Sequence, residues 1–197
     1  MKQLKIFLAI LLIGVTILSI AQDKNEKPKE PIKPALLVID IQNAFLPMMS
    51  SDKEIAMEYI NGLIGIFRKN GYPVIRIYHT SEEYGVTPGT EGFEFPETVK
   101  ILPSDPKVIK TYGDGFNKTE LDKVVKSTGS NTLFLCGLSA VGCVLATWNG
   151  AQNHDHNAFM VKNAIISHDN EYTRNVEEMF EAVSYDMVKL IIENSGK

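Results

Sequence analysis

Three residue types that could act together on a substrate stand at the ends of apolar runs. In TLFLCGLSAVGCVLAT, Thr132 to Thr147, an apolar run leads through Gly137 into a small-residue turn, and Cys143, Val144 and Leu145 open a helix. Cys143 is therefore expected on a helix N-terminus. Free backbone N–H groups and the positive end of the helix dipole favour an anion there, so a thiol can be held as the more nucleophilic thiolate, and the same N–H groups can hold an oxyanion. Asp40 closes ALLVID and Lys110 closes KVIK. A carboxylate at the end of a buried strand is costly unless it is paired or functional. Brought together, these are a base, a cation and a nucleophile: the carboxylate takes the thiol proton, and the ammonium keeps the carboxylate charged.

The elements that must position them alternate in type. Ala35 to Ile39 is apolar on successive residues, as a strand buried on both faces of a parallel sheet should be. Ser51 with Glu54 forms a capping box, and Ile60, Leu63, Ile64 and Phe67 recur at helical spacing up to Gly71 and Pro73. Strands are expected at Pro73 to His79 and Lys107 to Thr111, separated by a long Gly- and Pro-rich loop of the functional kind. Asn117 with Glu120 caps a helix to Ser127, closed by Gly129. The Cys143 helix runs from about Gly142 to Asn153, followed by a strand over Ala158 to Ile165. A helix capped by Asn170 and a last strand over Lys189 to Ile192 complete the chain. The expected fold is α/β, a three-layer sandwich with a mostly parallel sheet of about six strands, joined by right-handed crossovers. In such a sheet the carboxyl ends of the strands share one edge, where Asp40, Lys110 and Cys143 can converge.

Ahead of this domain, Lys2 and Lys5 precede an apolar run from Ile6 to Ile20, with Ser19 and Ala21 at signal-peptidase spacing. Residues 1–21 read as a secretory signal peptide, which places the protein outside the cytoplasm, secreted or periplasmic. Residues 22–34 are charged and proline-rich and read as a flexible tether, leaving 35–197 as the domain. A net charge of −4 with no basic block argues against nucleic acid as a partner. Two cysteines seven apart do not make a disulfide framework.

In ALLVIDIQNAF (Asp40, Gln42, Phe45), VIKTYGDGF (Lys110, Phe116) and GLSAVGCVLAT (Gly137, Cys143, Val144, Thr147), the chain resembles the isochorismatase-like cysteine hydrolases. That family includes nicotinamidases and N-carbamoylsarcosine amidohydrolases. The resemblance covers the domain from Ala35 onward. It implies hydrolysis of a small amide or carbamoyl compound without a redox cofactor. Cys143 would be the nucleophile, Asp40 the general base and acid, and Lys110 the cation that orients and polarises the pair. It also implies a cis peptide at Leu138–Ser139, an oxyanion hole from the N–H groups of Ser139 and Cys143, a thioester intermediate, and a homo-oligomer free of the membrane once the signal is cleaved. Phe45, His79 and Phe116 are candidates to line the substrate pocket. Trp148 is a candidate core or subunit-contact residue.

The chain departs from the family in two places. Nicotinamidases carry a metal site of an aspartate and two histidines after the second strand, whereas RIYHTSEEYG offers only His79, so no metal is expected there. Asn163 replaces an aspartate that usually closes its strand. His154, Asp155 and His156 read as an exposed polar turn. Two other activities fit the same residues: vinyl ether hydrolysis led by Asp40, which leaves the cysteine idle, and silent binding of a small molecule.

Overall fold

A computed structural model of the protein describes residues 30–50 and 52–195. The chain divides at Pro31/Ile32 into two units, and the second, Ile32–Lys197, holds the elements that follow. The signal-peptide reading, most of the tether and the Ser51 end of the capping box lie outside the described residues.

Five strands form one sheet: β1 (Pro34–Ile39), β2 (Val74–His79), β3 (Lys107–Lys110), β4 (Thr132–Leu138) and β5 (Asn157–Ile166). Their spatial order is β3-β2-β1-β4-β5 and every pairing is parallel. The helices are α1 (Lys53–Lys69), α2 (Leu121–Ser127), α3 (Leu145–Asn153), α4 (Asn170–Met179) and α5 (Tyr185–Asn194). A strand buried on both faces sends alternate residues to opposite layers. Accordingly Leu36 and Val38 of β1 join Phe134 and Cys136 of β4 against α1 and α5, while Ala35, Leu37 and Ile39 face α2, α3 and α4. This is the three-layer α/β sandwich that the alternation of elements predicts, with five strands.

The sixth strand expected at Lys189–Ile192 is instead part of α5. Its short apolar run is ambiguous between the two periodicities. Ser184 decides it by accepting the Met187 N–H as an N-cap, after which Val188 and Ile192, four apart, are the buried pair. The caps also shift elsewhere. Asp169, not Asn170, caps α4 through its side chain, and Glu120 precedes α2 without a side-chain cap.

No helix covers the crossover from β2 to β3. The loop over residues 80–106 does so, burying Val86, Phe93, Phe95 and Val99, with Phe93 and Phe95 stacked on Tyr78 of β2. Apolar burial of this kind, about 25 cal/mol per Å², holds a long loop in one conformation over the strand ends.

Candidate active site

Because the strands are parallel, β1, β2, β3 and β4 all end at one edge, and each end delivers a side chain or turn. Ile39 pairs with Ile77 and Gly137, and His79 pairs with Lys110. Asp40 follows β1 in the left-handed region, φ 54°, its N–H fixed to the Ile77 carbonyl at 2.9 Å. Aspartate tolerates that region better than most residues. Gly137, φ +118°, lets β4 lie directly against β1: a Cβ there would collide with the Ile39 backbone. Beyond it the Leu138–Ser139 peptide is cis, and Ala140–Val144 form a π-type turn with a kink at Gly142 before α3 begins. Cys143 thus sits just ahead of the regular helix rather than inside its first turn.

Asp40, Lys110 and Cys143 meet at this edge. Lys110 Nζ donates to Asp40 Oδ2 at 2.7 Å, with both side chains essentially out of solvent. It also donates to the Tyr112 carbonyl at 3.2 Å and lies 3.4 Å from His79 Nδ1. Asp40 Oδ1 is buried and accepts no hydrogen bond. A carboxylate oxygen of Asp40, the Cys143 sulfur and a ring nitrogen of His79 all lie within 4.8 Å of one another.

The charges decide the resting state. Burial pushes the Asp40 carboxyl above its ordinary value, opposed by the Lys110 ammonium beside it. Burial, and then the Asp40 charge, push the Cys143 thiol up to about 11. Burial, more than the neighbouring anion, works against the thiolate that the helix N-terminus would favour and keeps the proton on sulfur at neutral pH. Cys136, wholly buried, has its thiol raised by burial and donates to the Leu37 carbonyl; both cysteines are free.

A cavity of about 230 Å³ opens onto this group, lined by Asp40, Phe45, Met48, Met49, His79, Tyr84, Leu138, Ser139 and Cys143. Phe45 and His79 stand where the sequence suggests. Phe116 does not. It packs in the opposite core layer, stacked on His154 at 5.0 Å, because the Gly115 N–H is tied to the Thr147 hydroxyl of α3. In the turn that follows α3, His154 and Asp155 are exposed as expected, whereas His156 is buried and bonded to Asp122 at 2.9 Å. Trp148 is half-buried, donates to the Ala158 carbonyl and packs on Phe180. Asn163, φ 63°, donates its N–H to Glu177, away from the cavity.

Among the described residues, Asp40, His79 and Cys143 are the group close enough to share a metal ion. They do not fit one, since the Lys110 ammonium already occupies Asp40 Oδ2 and faces His79. Three supporting residues were given no role by the sequence. Gln42 brackets the His79 backbone, Thr147 ties the loop after Lys110 to α3, and Ser167 bonds the Ser139 hydroxyl at 3.2 Å and the Val141 N–H at 3.3 Å. A polar residue two places after the strand-end aspartate was the one visible hint, at Gln42.

Comparison with known proteins places this geometry. The family model described as "Isochorismatase domain" matches residues 34–187. An uncharacterized isochorismatase family protein of Bacillus subtilis (strain 168), YddQ, is 32% identical over 136 residues, covering 66% of this chain and 76% of that protein. The solved N-carbamoylsarcosine amidase from Thermoplasma acidophilum shares the fold with a TM-score of 0.67 and 24% identity, over 78% of this chain and 95% of that one. The pyrazinamidase of Pyrococcus horikoshii in complex with zinc does so with a TM-score of 0.68 and 20% identity, over 77% and 98%. With the strand-end site assembled on the fold these proteins share, the chain belongs to the isochorismatase family of hydrolases.

Proposed function

We propose that the protein hydrolyses the C–N bond of a small amide or carbamoyl compound through a thioester on Cys143. The observation that carries this is the state of the Asp40 carboxylate: Oδ2 is held by Lys110, Oδ1 is buried and takes no hydrogen bond, and the group lies within 4.8 Å of the thiol sulfur. The carboxylate takes the thiol proton as sulfur attacks the carbonyl carbon, so the thiolate exists only as the S–C bond forms. The N–H groups of Ser139 and Cys143 receive the tetrahedral oxyanion, a contribution on the order of 10² to 10³ in rate per donor. Asp40 returns the proton to the departing nitrogen, the amine leaves, and an acyl thioester remains. Asp40 then draws a proton from a water molecule that attacks the thioester, and the thiol is restored. Lys110 orients Asp40 throughout and favours its carboxylate form at the start of each half-reaction.

The cavity supports a small, compact substrate with an apolar body. The names of the two solved amidases, one for a carbamoyl compound and one for an aromatic carboxamide, agree with that class. A screen of small primary amides and carbamoyl amino acids for ammonia release, run with wild type and Cys143→Ala, tests the reading. Loss of release in the variant is expected. Hydrolysis that survives it, of an amide or of a vinyl ether, assigns the chemistry to Asp40 alone, and binding without turnover in wild type assigns the fold to binding.

We further propose that the protein is exported by the signal at residues 1–21. An N-terminus beginning after Ala21 in protein recovered outside the cytoplasm is the expected result, and retention of Met1 in a cytoplasmic product would refute it.

A further inference from the structure

The amidase reading uses Asp40, Lys110, Cys143 and the Ser139 turn, and leaves His79 without a task. Yet its backbone is held at both ends. The Gln42 side chain accepts the His79 N–H at 2.7 Å and donates to the His79 carbonyl at 2.9 Å, and Gln42 is itself wholly buried and anchored to the Phe93 carbonyl. The ring is placed as firmly, against Phe45 at a centroid distance of 6.0 Å and against Lys110.

The contacts of Lys110 favour one nitrogen of the ring as the site of the proton. An ammonium has three protons and no lone pair. Those of Lys110 are directed to Asp40 Oδ2, the Tyr112 carbonyl and His79 Nδ1. A cation facing Nδ1 requires the lone pair there, which leaves the proton on Nε2. The Tyr112 carbonyl also faces the ring and accepts from Lys110 at 3.2 Å; of the groups acting on the imidazole it is the weakest. The titratable groups facing the ring are Lys110, Asp40 and the Cys143 thiol, with Tyr84 on the same cavity wall. Burial, and then Lys110, hold the imidazole below its ordinary range, with Asp40 acting in the opposite sense. Among the described residues Nε2 has no hydrogen-bond partner. The other walls of the cavity are Phe45, Met48, Met49 and Leu138, with Tyr84 at its exposed rim.

Building on the amidase reading, we propose that His79 is a specificity-determining residue: as a neutral imidazole it donates from Nε2–H to an acceptor atom on the body of the substrate. The preferred substrates are then compact amides that carry a ring nitrogen, an ether oxygen or a second carbonyl near the scissile group. Purely hydrocarbon amides of the same size are disfavoured, because they leave this donor unpaired. The expected discrimination is on the order of ten-fold to a hundred-fold.

A matched pair of reversible probes tests this on the full chain. Pyridine-3-carbaldehyde and benzaldehyde have the same shape and differ by one ring nitrogen. Each adds to a thiol by forming one S–C bond, with the carbonyl π pair becoming a hydroxyl that takes the thiol proton, and nothing leaves. Their affinities are read by protection of Cys143 from alkylation, in wild type, His79→Gln and His79→Phe. His79→Gln keeps an N–H near the Nε2 position and His79→Phe removes it. The preference for the pyridine probe should fall about ten-fold in His79→Phe and be largely retained in His79→Gln, and the intrinsic electrophilicity of the probes cancels in that comparison. An equal preference in all three proteins overturns the role of His79 and leaves Cys143 as the nucleophile. If neither aldehyde adds in wild type, the Cys143 reading fails and the role of His79 falls with it. Independently of either probe, the ¹⁵N spectrum of wild type should show His79 protonated on Nε2 alone at about pH 7. A proton on Nδ1 there, or on both nitrogens, overturns the proposal.

Discussion

Replacing Asp40 by asparagine should move two properties of Cys143 in opposite directions. In wild type the thiol is pushed up to about 11, first by burial and then by the Asp40 charge. The substitution removes that charge, keeps the size and the burial, and leaves the Lys110 ammonium beside the sulfur. Groups no more than 4.8 Å apart interact by about 3.5 kcal/mol at an effective dielectric of about 20, or roughly 2.5 pH units. The thiol midpoint should therefore fall to roughly 8.5, near that of a free cysteine. Hydrolysis loses its general base and acid at the same time, a cost on the order of 10² to 10⁴. Ultraviolet thiolate absorbance, taken as a difference against Cys143→Ala, follows the titration, and ammonia release follows the turnover. A variant with a more acidic thiol and far less activity is the expected result. An unchanged or higher midpoint, or a wild-type thiol already ionised at neutral pH, would refute the assignment of Asp40 as the charge that keeps Cys143 protonated.

Other substitutions probe the support of the site. Lys110→Met should destabilise the fold by about 3–5 kcal/mol by leaving Asp40 buried and unpaired. The loss should be smaller in acid. A carboxyl whose folded pKa is raised binds more protons when folded than when unfolded, so the variant loses stability as pH rises above 3.8 through the folded value; urea melts at several pH values read this. Gly137→Ala should cost at least about 3 kcal/mol, because the new Cβ meets the Ile39 backbone at a positive φ, and thermal melts of the soluble fraction check it. Phe116→Leu should cost about 1 kcal/mol in stability and leave KM unchanged, since Phe116 packs on His154 and His156 and is not among the residues lining the cavity. A raised KM would return Phe116 to the pocket.

The parallel sheet was legible because its strands are continuous apolar runs and its helices are strongly periodic, and that topology alone gathers Asp40, Lys110 and Cys143 on one edge. Lys189–Ile192 misled because four apolar residues satisfy either period, and the capping hydroxyl of Ser184 settles the matter one turn earlier. Phe116 misled for a different reason. Its proximity in sequence to Lys110 suggests the pocket, but the Gly115–Thr147 hydrogen bond swings the loop toward the opposite layer. The upward push on the Cys143 thiol was not legible, because a helix N-terminus is visible in sequence whereas burial and the distance to Asp40 are set by tertiary packing. Gln42, Thr147 and Ser167 act through hydrogen bonds to segments distant in sequence, so their roles are set by tertiary packing.

The central claim is that Cys143 carries the acyl group. Rapid acid quenching during turnover of an amide found to release ammonia, followed by peptide mass analysis, tests it most directly. The account predicts a mass increment equal to the substrate acyl group on the peptide containing Cys143, absent from the Cys136 site and from Cys143→Ala. Turnover at full rate in Cys143→Ala, or an acyl group found elsewhere, would contradict it.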